Sequence, residues 1–313
     1  MSDSEIILQH GDLYARVSPH GASLRGLWRE NADGTHTEIV TGYSGADNKV
    51  GGQGDVLIPF PGRIKNGTYD FGGETFQLQL TDKEAPNAIH GFVRQKEWTI
   101  TEQTENSTQF ETDILPSDAP GYPFALHIKI RYSMREDMLA CWFVIENSGQ
   151  NAAPVAAGFH PYFTVGGDFI DGAVLTVPFD SVLEFDDNLT PTGKVLPVAE
   201  TAFDFRKART IGTTRFNTCY LNPNRDDDGG TQICLESADG GRSITVSMHP
   251  VFEAVVLYSG DPLPDAHRRR SLAIEPMTGG SDVFNHPEWG LRTLAPGERF
   301  SGGWSVWIHD DNL

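Results

Sequence analysis

Four polar residues that could take part in proton transfer stand in apolar surroundings at separate points of the chain: Arg63, His90, His160 and Glu275. Each lies beside a proline, a glycine or an aromatic residue, at the end of a segment with the character of a strand. A titratable side chain at a strand end is held rigidly and can still face a cleft, as general acid–base catalysis requires. One carboxylate, two imidazoles and one guanidinium need no metal, nucleotide or covalent nucleophile for such chemistry.

Glu275 and His160 both stand in apolar surroundings that would perturb a titratable group. Glu275 follows the apolar residues of SLAI and precedes Pro276, so partial burial should raise its pKa toward that of a useful general base. An edge carboxylate paired with an arginine is the structural alternative. His160 is surrounded by aromatic residues that could exclude water and offer a platform to a sugar ring, although a histidine of the core has the same neighbours.

His90 is a similar case to His160, with a core histidine as the structural alternative, and Arg63 stands in a glycine-rich frame. Gly91 allows a close approach of the backbone beside His90, and Phe92 buries the neighbourhood. Arg63 lies between two glycine-rich segments, where it could either pair with a carboxylate or bind ligand hydroxyls. Both interpretations of Arg63 stay open from the sequence.

Other chemistries find no support in the sequence. The ten histidines include no HxH or HExxH pattern, so no zinc site is predicted. The chain contains no GxSxG elbow, no GxxxxGK[ST] phosphate loop and no GxGxxG that opens a helix. The aspartates of 222–230 lack the alternating ligand spacing of a calcium loop, and a surface turn is predicted there. We therefore expect neither a metal nor a cofactor.

The periodicity of the chain is that of β-strands. In ALHIKIRYSM, ETFQLQL and GWSVWI apolar and polar residues alternate, which is typical of half-buried antiparallel strands. Further strand-like runs are MLACWFVIEN, AVLTVPF, SITVSM and EAVVLY, and no stretch of twelve or more residues has helical spacing. The fold class is therefore predicted to be all-β, a large antiparallel β-sandwich. Because the candidate residues are spread from Arg63 to Glu275, one domain over 1–313 is expected.

The charge balance limits the partners. The chain has 43 acidic and 24 basic side chains, a formal net charge of −19, which disfavours nucleic acid and anionic membrane surfaces. The one dense basic run, Arg268 to Arg270, is interpreted as part of a solvated loop. No apolar run approaches the ~18 residues of a membrane helix, and no secretory signal is visible at the N-terminus. A cytoplasmic protein is predicted.

Three cysteines, Cys141, Cys219 and Cys234, cannot form a complete disulfide framework, and none lies in a CxxC pair. Cys141 stands inside an apolar run, where it is predicted to behave as a small hydrophobic residue of the core.

Taken together, PFPGRIKNG, NAIHGFVR, GFHPYFTV and AIEPMTGG resemble the conserved segments of the aldose 1-epimerase (galactose mutarotase) family, and the resemblance runs almost the full length of the chain. It implies a galactose mutarotase-like β-supersandwich with a sugar site in a cleft on one sheet. By this resemblance Glu275 is the general base, His160 the general acid, and His90 and Arg63 hold and polarise the sugar. The implied activity is interconversion of the α and β anomers of a free hexose.

Two positions depart from the family pattern. Gly62 replaces the asparagine that usually precedes the arginine, and Asn217 stands where an aspartate usually contacts a sugar hydroxyl. An amide can still accept and donate hydrogen bonds there, but it lacks the charge that strengthens them. The identity of the sugar is therefore less certain than the reaction.

Two alternative functions stay open. A hexose-6-phosphate 1-epimerase would use the same chemistry; HGFVR followed by Trp98 resembles that branch, and Arg94 could bind a phosphate bidentately. A non-catalytic carbohydrate-binding protein on the same fold is the other alternative. In each case the expected partner is a small-molecule sugar, and the protein is expected to be a monomer or a homodimer.

Overall fold

The computed structural model describes residues 5–310, which form two large antiparallel sheets. Twelve strands make up the first sheet: β1 (Ile6–His10), β2 (Leu13–Ser18), β3 (Ser23–Glu30), β4 (His36–Val40), β5 (Val56–Leu57), β15 (Gly158–Phe159), β16 (Tyr162–Phe163), β18 (Phe179–Phe185), β19 (Pro191–Pro197), β21 (Asn217–Pro223), β24 (Ala254–Tyr258) and β25 (Leu272–Met277). Ten of them follow the order β1-β2-β3-β4-β16-β25-β24-β21-β18-β19, while β15 pairs with β25 and β5.

Nine strands make up the second sheet: β10 (Thr99–Gln103), β11 (Ser107–Ile114), β12 (Leu126–Arg135), β13 (Met138–Asn147), β17 (Val174–Thr176), β20 (Arg209–Thr210), β22 (Thr231–Glu236), β23 (Arg242–Met248) and β27 (Arg299–Asp310). Their order is β10-β11-β12-β13-β27-β23-β22-β17-β20. The prediction of an all-β, antiparallel sandwich is confirmed.

Smaller elements connect the two sheets. Three two-stranded ladders are β6 (Arg63–Ile64) with β9 (Ala88–Ile89), β7 (Thr68–Phe71) with β8 (Glu74–Gln77), and β14 (Ala153–Val155) with β26 (Arg292–Leu294). Single turns of 3₁₀ helix span Ala46–Asn48, Lys65–Gly67, Val93–Gln95, Ile170–Gly172, Val198–Glu200 and Pro287–Trp289. Within residues 5–310 there is no α-helix, and no helix that could cross a membrane.

The alternation of β12 decides which of its residues enter the core. Its apolar positions are all buried: Leu126, Ile128, Ile130, Tyr132 and Met134. The polar residues between them lie on the outward face, because successive side chains of a strand point to opposite sides. β27 follows the same rule, with Trp304, Val306 and Ile308 in the core. Cys141 is also buried, as predicted.

The predicted strand ETFQLQL is shorter in the structure. β8 ends at Gln77, whose partner Thr68 is the first residue of β7. Beyond this point the strand has no paired strand beside it. Leu78 still packs in the core, but Leu80 is 51% exposed. The alternating pattern continues in the sequence after the strand has ended.

Aromatic residues fill the space between the sheets. On the inner face of the second sheet, Phe143 packs against Phe159 of the first sheet, and also against Phe252 and Phe300, with ring centroids 5.3–6.1 Å apart. Trp304 packs against Phe159 at 5.9 Å. Since Phe159 faces this core, the side chain of the next residue in the chain is directed away from it.

The two faces of β25 contact different apolar clusters, the main core on one side and a second, smaller cluster on the other. Ile274 belongs to the main core, whereas Met277 lies with Cys219 in the smaller cluster on the opposite face. Glu275 is paired with Val256 of β24, which in turn is paired with Cys219 of β21. Glu275 therefore lies on the outer face of the first sheet, among apolar neighbours.

Replacing Phe143 tests how far the two sheets depend on this aromatic contact. Phe143→Ala should lower the free energy of unfolding by ~3–5 kcal/mol, because it leaves a cavity under Phe159. Urea denaturation followed by fluorescence measures the loss. Leu115→Ala, at a largely exposed position, is the control and should change stability by under ~0.5 kcal/mol. A loss below ~1 kcal/mol for Phe143→Ala would contradict the packing argument.

Candidate active site

A buried carboxyl–imidazole pair occupies the outer face of the first sheet. His160 Nε2 lies 3.3 Å from Glu275 Oε1, and the two residues are 6% and 3% exposed. His160 lies between β15 and β16, both of which pair with β25, so the sheet itself brings the two residues together. The sequence named both residues separately, and the structure shows that they are direct neighbours.

Burial shifts the pKa values of the two groups in opposite directions. Loss of hydration raises the pKa of Glu275 well above its ordinary value, an effect that Arg63 opposes and Asp55 increases. Loss of hydration also lowers the pKa of His160 to about 3, and nearby cations add to this decrease. In the free protein both changes favour the uncharged forms, a carboxylic acid beside a neutral imidazole. The pair then holds one proton over a wide range of pH.

His90 lies against this pair. Its ring meets that of His160 edge to face, with centroids 5.7 Å apart. His90 has a positive φ of 63°, and the following Gly91 is packed so closely on Ile58 that a Cβ there would lie 2.0 Å from its carbonyl oxygen. Gly62 N–H donates to His90 Nδ1 at 3.2 Å, which leaves the ring proton of a neutral His90 on Nε2. Burial, the largest cause, and the nearby His160 keep the pKa of His90 well below its ordinary value.

Gly62 has a structural reason to be glycine in this chain. Its φ is 63°, and a Cβ would lie 2.8 Å from Ser281 Oγ. An asparagine, which usually precedes the arginine, would fit before Arg63 only if the segment around Ser281 moved. This departure therefore reflects local packing next to the pair.

Arg63 is engaged by two carboxylates. Its Nε donates to Asp82 Oδ2 at 2.7 Å, and its Nη2 donates to Glu84 Oε2 at 2.9 Å. Of the two interpretations that the sequence left open, pairing with a carboxylate is the one seen in the structure. The guanidinium is nevertheless close enough for its charge to lower the pKa of Glu275.

Asn217 lies apart from the other four candidates. It begins β21, is exposed, and is paired with Tyr258 of β24, which puts it on the same face as Glu275. Two strand spacings, ~10 Å, separate it from Ala273 of β25, and Glu275 lies two residues further along that strand. Within residues 5–310 its side chain contacts none of the other candidates.

A glycine-rich turn covers His160. Gly54 N–H donates to the carbonyl oxygen of His160 at 3.0 Å, and His160 N–H donates to that of Asp55 at 3.0 Å. Gly52 lies over the imidazole, where an added Cβ would be 2.4 Å from Cδ2 and 2.7 Å from Nε2 of the ring. No space for a side chain exists at position 52 without displacement of His160. The turn therefore holds the backbone and the ring of this histidine together.

Asp55 is a buried carboxylate that sequence reasoning missed. Its side chain is fully buried, forms an ion pair with Lys49, and lies 3.6 Å from Nη1 of Arg94. Burial, the largest effect, raises the pKa of Asp55, and the two cations oppose the increase. Asp55 thereby joins the turn over His160 to the segment that carries His90 and Arg94. The only signal in the sequence was an aspartate between two glycines and an apolar strand.

Two tyrosines complete the surroundings of the pair. Tyr162 stacks on His160, with centroids 5.0 Å apart and an angle of 13° between the rings, and Tyr258 meets Tyr162 edge to face at 6.4 Å. Burial raises the pKa of Tyr258 to about 12. The sequence could have predicted that Tyr162 lies on the same face as His160, because residues two positions apart in an extended chain share a face. The position of Tyr258 depends on pairing between distant strands.

Metal ligands are not assembled at this site. Within residues 5–310, no group of three or more histidine, cysteine, aspartate or glutamate side chains is arranged to hold a metal ion.

The sequence matches known proteins along nearly its whole length. Residues 4–307 match the model of the family described as aldose 1-epimerase. The chain belongs to the aldose 1-epimerase family. It is 29% identical over 285 residues to the uncharacterized protein YihR of Escherichia coli K12, covering 91% of this chain and 87% of that protein. It is 26% identical over 314 residues to human galactose mutarotase, covering 94% and 90%.

Solved structures show the same fold. An aldose epimerase homologue of C. elegans superposes with a TM-score of 0.87 at 20% identity, over 99% of this chain and 100% of that one. Galactose 1-epimerase of Lactobacillus acidophilus superposes with a TM-score of 0.80 at 19% identity, over 98% and 94%. The fold is thus galactose mutarotase-like, and the family makes the protein an isomerase rather than a non-catalytic sugar-binding protein.

A methyl group at position 52 tests whether the turn positions His160. Gly52→Ala should reduce turnover in an aldose mutarotation assay by roughly 10²-fold, because the Cβ displaces the imidazole and a 1 Å misplacement can cost that much. Gly52 has no positive φ, so alanine introduces no backbone strain. Gly26→Ala, where the nearest atoms are 3.8 Å from the new Cβ, is the matched control. Equal activity of the two variants would show that the turn has no influence on the ring.

Proposed function

We propose that the protein interconverts the α and β anomers of a free hexose by acid–base opening and closing of the ring. The observation that supports this most strongly is the buried Glu275–His160 pair, with 3.3 Å between the carboxyl and the imidazole. Glu275 is the base and His160 the acid, while His90 and Arg63 position the sugar and Asn217 contacts a hydroxyl. We also propose that residues 1–313 form one domain, supported by the family match over 4–307.

The reaction requires one proton to leave and another to arrive. Glu275 removes the proton of the anomeric hydroxyl, the C1–O1 bond becomes a carbonyl, and the bond from C1 to the ring oxygen breaks. His160 donates its proton to that ring oxygen. The aldehyde rotates about the C1–C2 bond, and closure with reversed roles produces the other anomer. No net proton is consumed, and each group returns to its starting state over a full cycle.

The bound sugar changes which group holds the shared proton. In the free pair burial favours a protonated Glu275, whereas the proposed first step needs its carboxylate and a protonated His160. Hydroxyl groups of a sugar donate hydrogen bonds to a carboxylate and so lower its pKa. Arg63 acts in the same direction. Binding of the substrate thus transfers the proton to His160 and prepares both groups for the reaction.

A hexose 6-phosphate is the second candidate substrate, because of the cations beside the pair. Lys49 and Arg94 flank His160 closely enough to influence its pKa, and they share one buried carboxylate, Asp55. One positive charge thus remains without a partner in this group of three. Arg94 is already oriented toward Asp55, which favours a neutral sugar as the substrate. Trp98 lies in the core, where its indole N–H donates to the carbonyl oxygen of Val93.

The substrate is tested by following the change in optical rotation of freshly dissolved α-anomers. Glucose, galactose and glucose 6-phosphate are compared side by side with purified protein against buffer. The proposal expects acceleration of a free hexose with kcat/KM above that of the phosphorylated sugar. A large preference for glucose 6-phosphate would replace the free hexose with the second candidate, and no acceleration of any aldose would overturn the proposal.

Removing either member of the pair should slow the chemical step. Glu275→Gln keeps the shape but cannot accept the proton, and His160→Asn removes the donor. Each variant should lower kcat by roughly 10²-fold or more with a much smaller change in KM, because the lost interaction belongs to the transition state. Glu74→Gln, at an exposed position of β8, is the control for a change of charge alone. Near wild-type turnover of Glu275→Gln, with unchanged thermal stability, would remove Glu275 as the base.

The dependence of kcat/KM on pH should report the opposite shifts of the two groups. Activity needs one proton on the pair, and a second proton binds only when the pH falls through the lowered His160 pKa of about 3. The acidic limb should therefore lie far below the ordinary histidine value. The single proton is lost as the pH rises through the raised pKa of Glu275, so the alkaline limb lies well above the ordinary carboxyl value. An acidic limb near ~6.5, the value of an unperturbed histidine, would contradict this assignment.

A further inference from the structure

Two tryptophans project from the outward face of the second sheet, on the side of the sandwich opposite the carboxyl–imidazole pair. Trp142 of β13 and Trp307 of β27 are each 44% exposed. β13 and β27 are neighbours, with Trp142 paired to Gly303 and Trp307 paired to Met138. Because these pairs are four residues apart, the two indoles are separated by ~13 Å along the strands. Tryptophan is highly buried on average in folded proteins, whereas here two tryptophans on neighbouring strands are nearly half exposed.

Gly303 allows the Trp142 ring to lie against the sheet. A Cβ at position 303 would be 2.4 Å from Cε3 and 3.0 Å from Cζ3 of the indole, so the ring occupies the space of the missing side chain. His249 supports it from one side, edge to face at 5.4 Å. One face of the indole is thus covered by the backbone while the rest is open to solvent. Within residues 5–310 the indole N–H of Trp142 has no hydrogen-bond partner, so it can serve as a donor to a ligand.

β13, β27, β23 and β22 form an uncharged area of the outward face that contains both tryptophans. The other outward side chains of this area are small, apolar or neutral hydrogen-bonding groups: Met138, Ala140, Val144, Ser301, Ser305, Thr245, Ser247, Gln232 and Cys234. None of the outward side chains at these paired positions is aspartate, glutamate, lysine or arginine. Charged residues begin on the next strand, β12, where Arg131 is paired with Trp142 and forms an ion pair with Glu102, and Lys129 forms an ion pair with Glu111.

We propose that this surface, which we call the tryptophan face, binds a neutral oligosaccharide. The C–H bonds on one side of a pyranose ring pack on the electron-rich face of an indole, as edge hydrogens do in aromatic pairs. Hydroxyl and amide side chains around the indole supply donors and acceptors for sugar hydroxyls. A spacing of ~13 Å requires more than one sugar residue for both tryptophans to be engaged. A single monosaccharide can cover only one of them.

A second copy of the chain fits this surface less well. The neutral area spans four strands, ~19 Å, and seven residues along β27, ~20 Å, which is a geometric area of ~400 Å². A stable dimer buries ~800 Å² on each partner, about twice as much. The remaining contact would bring charged residues of two chains with a net charge of −19 each into proximity. An uncharged ligand of a few sugar residues avoids both costs.

The tryptophan face is separate from the carboxyl–imidazole pair, so the two can be tested independently. The core, including Phe143 and Phe159, lies between them. Binding at the tryptophan face does not depend on the proposed mutarotase activity. Substitution of either tryptophan should leave the mutarotation rate of a monosaccharide unchanged.

Titration with neutral hexasaccharides tests the proposal. Maltohexaose, cellohexaose and mannohexaose are titrated separately into the full chain by calorimetry, with intrinsic fluorescence as a second signal. At least one should bind, and Trp142→Ala and Trp307→Ala should each weaken it by roughly 3- to 10-fold, consistent with one aromatic contact apiece. The double variant should lose measurable binding. Leu115→Ala, an exposed apolar residue elsewhere on the chain, is the control and should bind normally.

Three results would overturn the proposal. The first is absence of binding of all three hexasaccharides at millimolar concentration. The second is binding that persists in the double tryptophan variant but is lost in His160→Asn, which would place the ligand at the carboxyl–imidazole pair. The third is a wild-type molar mass of two chains by light scattering that falls to one chain in the double variant, which would make a second copy the occupant. Thermal unfolding of each variant shows whether loss of binding reflects loss of fold.

Discussion

Withdrawal of the Glu275 carboxyl and the His160 imidazole from water is the constraint on which the rest of this site depends. Neither group can be charged at low cost in its apolar surroundings, so burial raises the pKa of one and lowers that of the other. The two shifts favour a protonated carboxyl beside an unprotonated imidazole, with Oε1 and Nε2 3.3 Å apart. The proposed reaction removes a proton from one oxygen of a sugar and adds a proton to another, so it needs the proton of this pair to move from the carboxyl to the imidazole when the sugar binds. The same burial costs stability, because both groups are hydrated in the unfolded chain.

Backbone hydrogen bonds and close backbone packing hold His160 beside Glu275. β15 and β16 pair with β25, which fixes His160 beside Glu275, and a glycine-rich turn closes over the ring. Phe159 anchors the same segment in the core by packing on Phe143. Such a site is rigid because hydrogen-bonded strands and packed aromatic rings restrict the two side chains, which lie on the sheet rather than on a free loop.

Most of the positive charge around the pair is balanced by carboxylates. Arg63 pairs with Asp82 and Glu84, while Lys49 and Arg94 share Asp55. Their charges still act on the pair, since they lie close to it in a region of low dielectric constant. The carboxylates prevent a strong positive field that would favour anionic ligands. This charge balance is consistent with a neutral sugar. A phosphorylated sugar could instead pair with the one positive charge that Asp55 leaves without a partner among Lys49 and Arg94.

The sequence by itself determined the class of fold and the types of the groups that we propose to react. Alternation with a period of two appears in β12 and β27 because each strand has one face in the core, and this information is local. His160 and Glu275 could be recognised for a similar reason, since their apolar neighbours in the chain already indicate burial. The end of β8 at Gln77 was not visible in this way, because it depends on where the partner strand begins.

Only the tertiary structure decided which of these groups meet. His160 and Glu275 are 115 residues apart in the chain, and their contact follows from pairing of strands that no local pattern specifies. Pairing in the same sheet left Asn217 two strands away from Glu275, and the folded path of the chain brought Asp82 to Arg63 and Arg94 to Asp55. The charge of a side chain can be read from its type, but its hydration and its partners depend on the residues that surround it in space. The direction of each pKa shift was therefore settled by the folded structure.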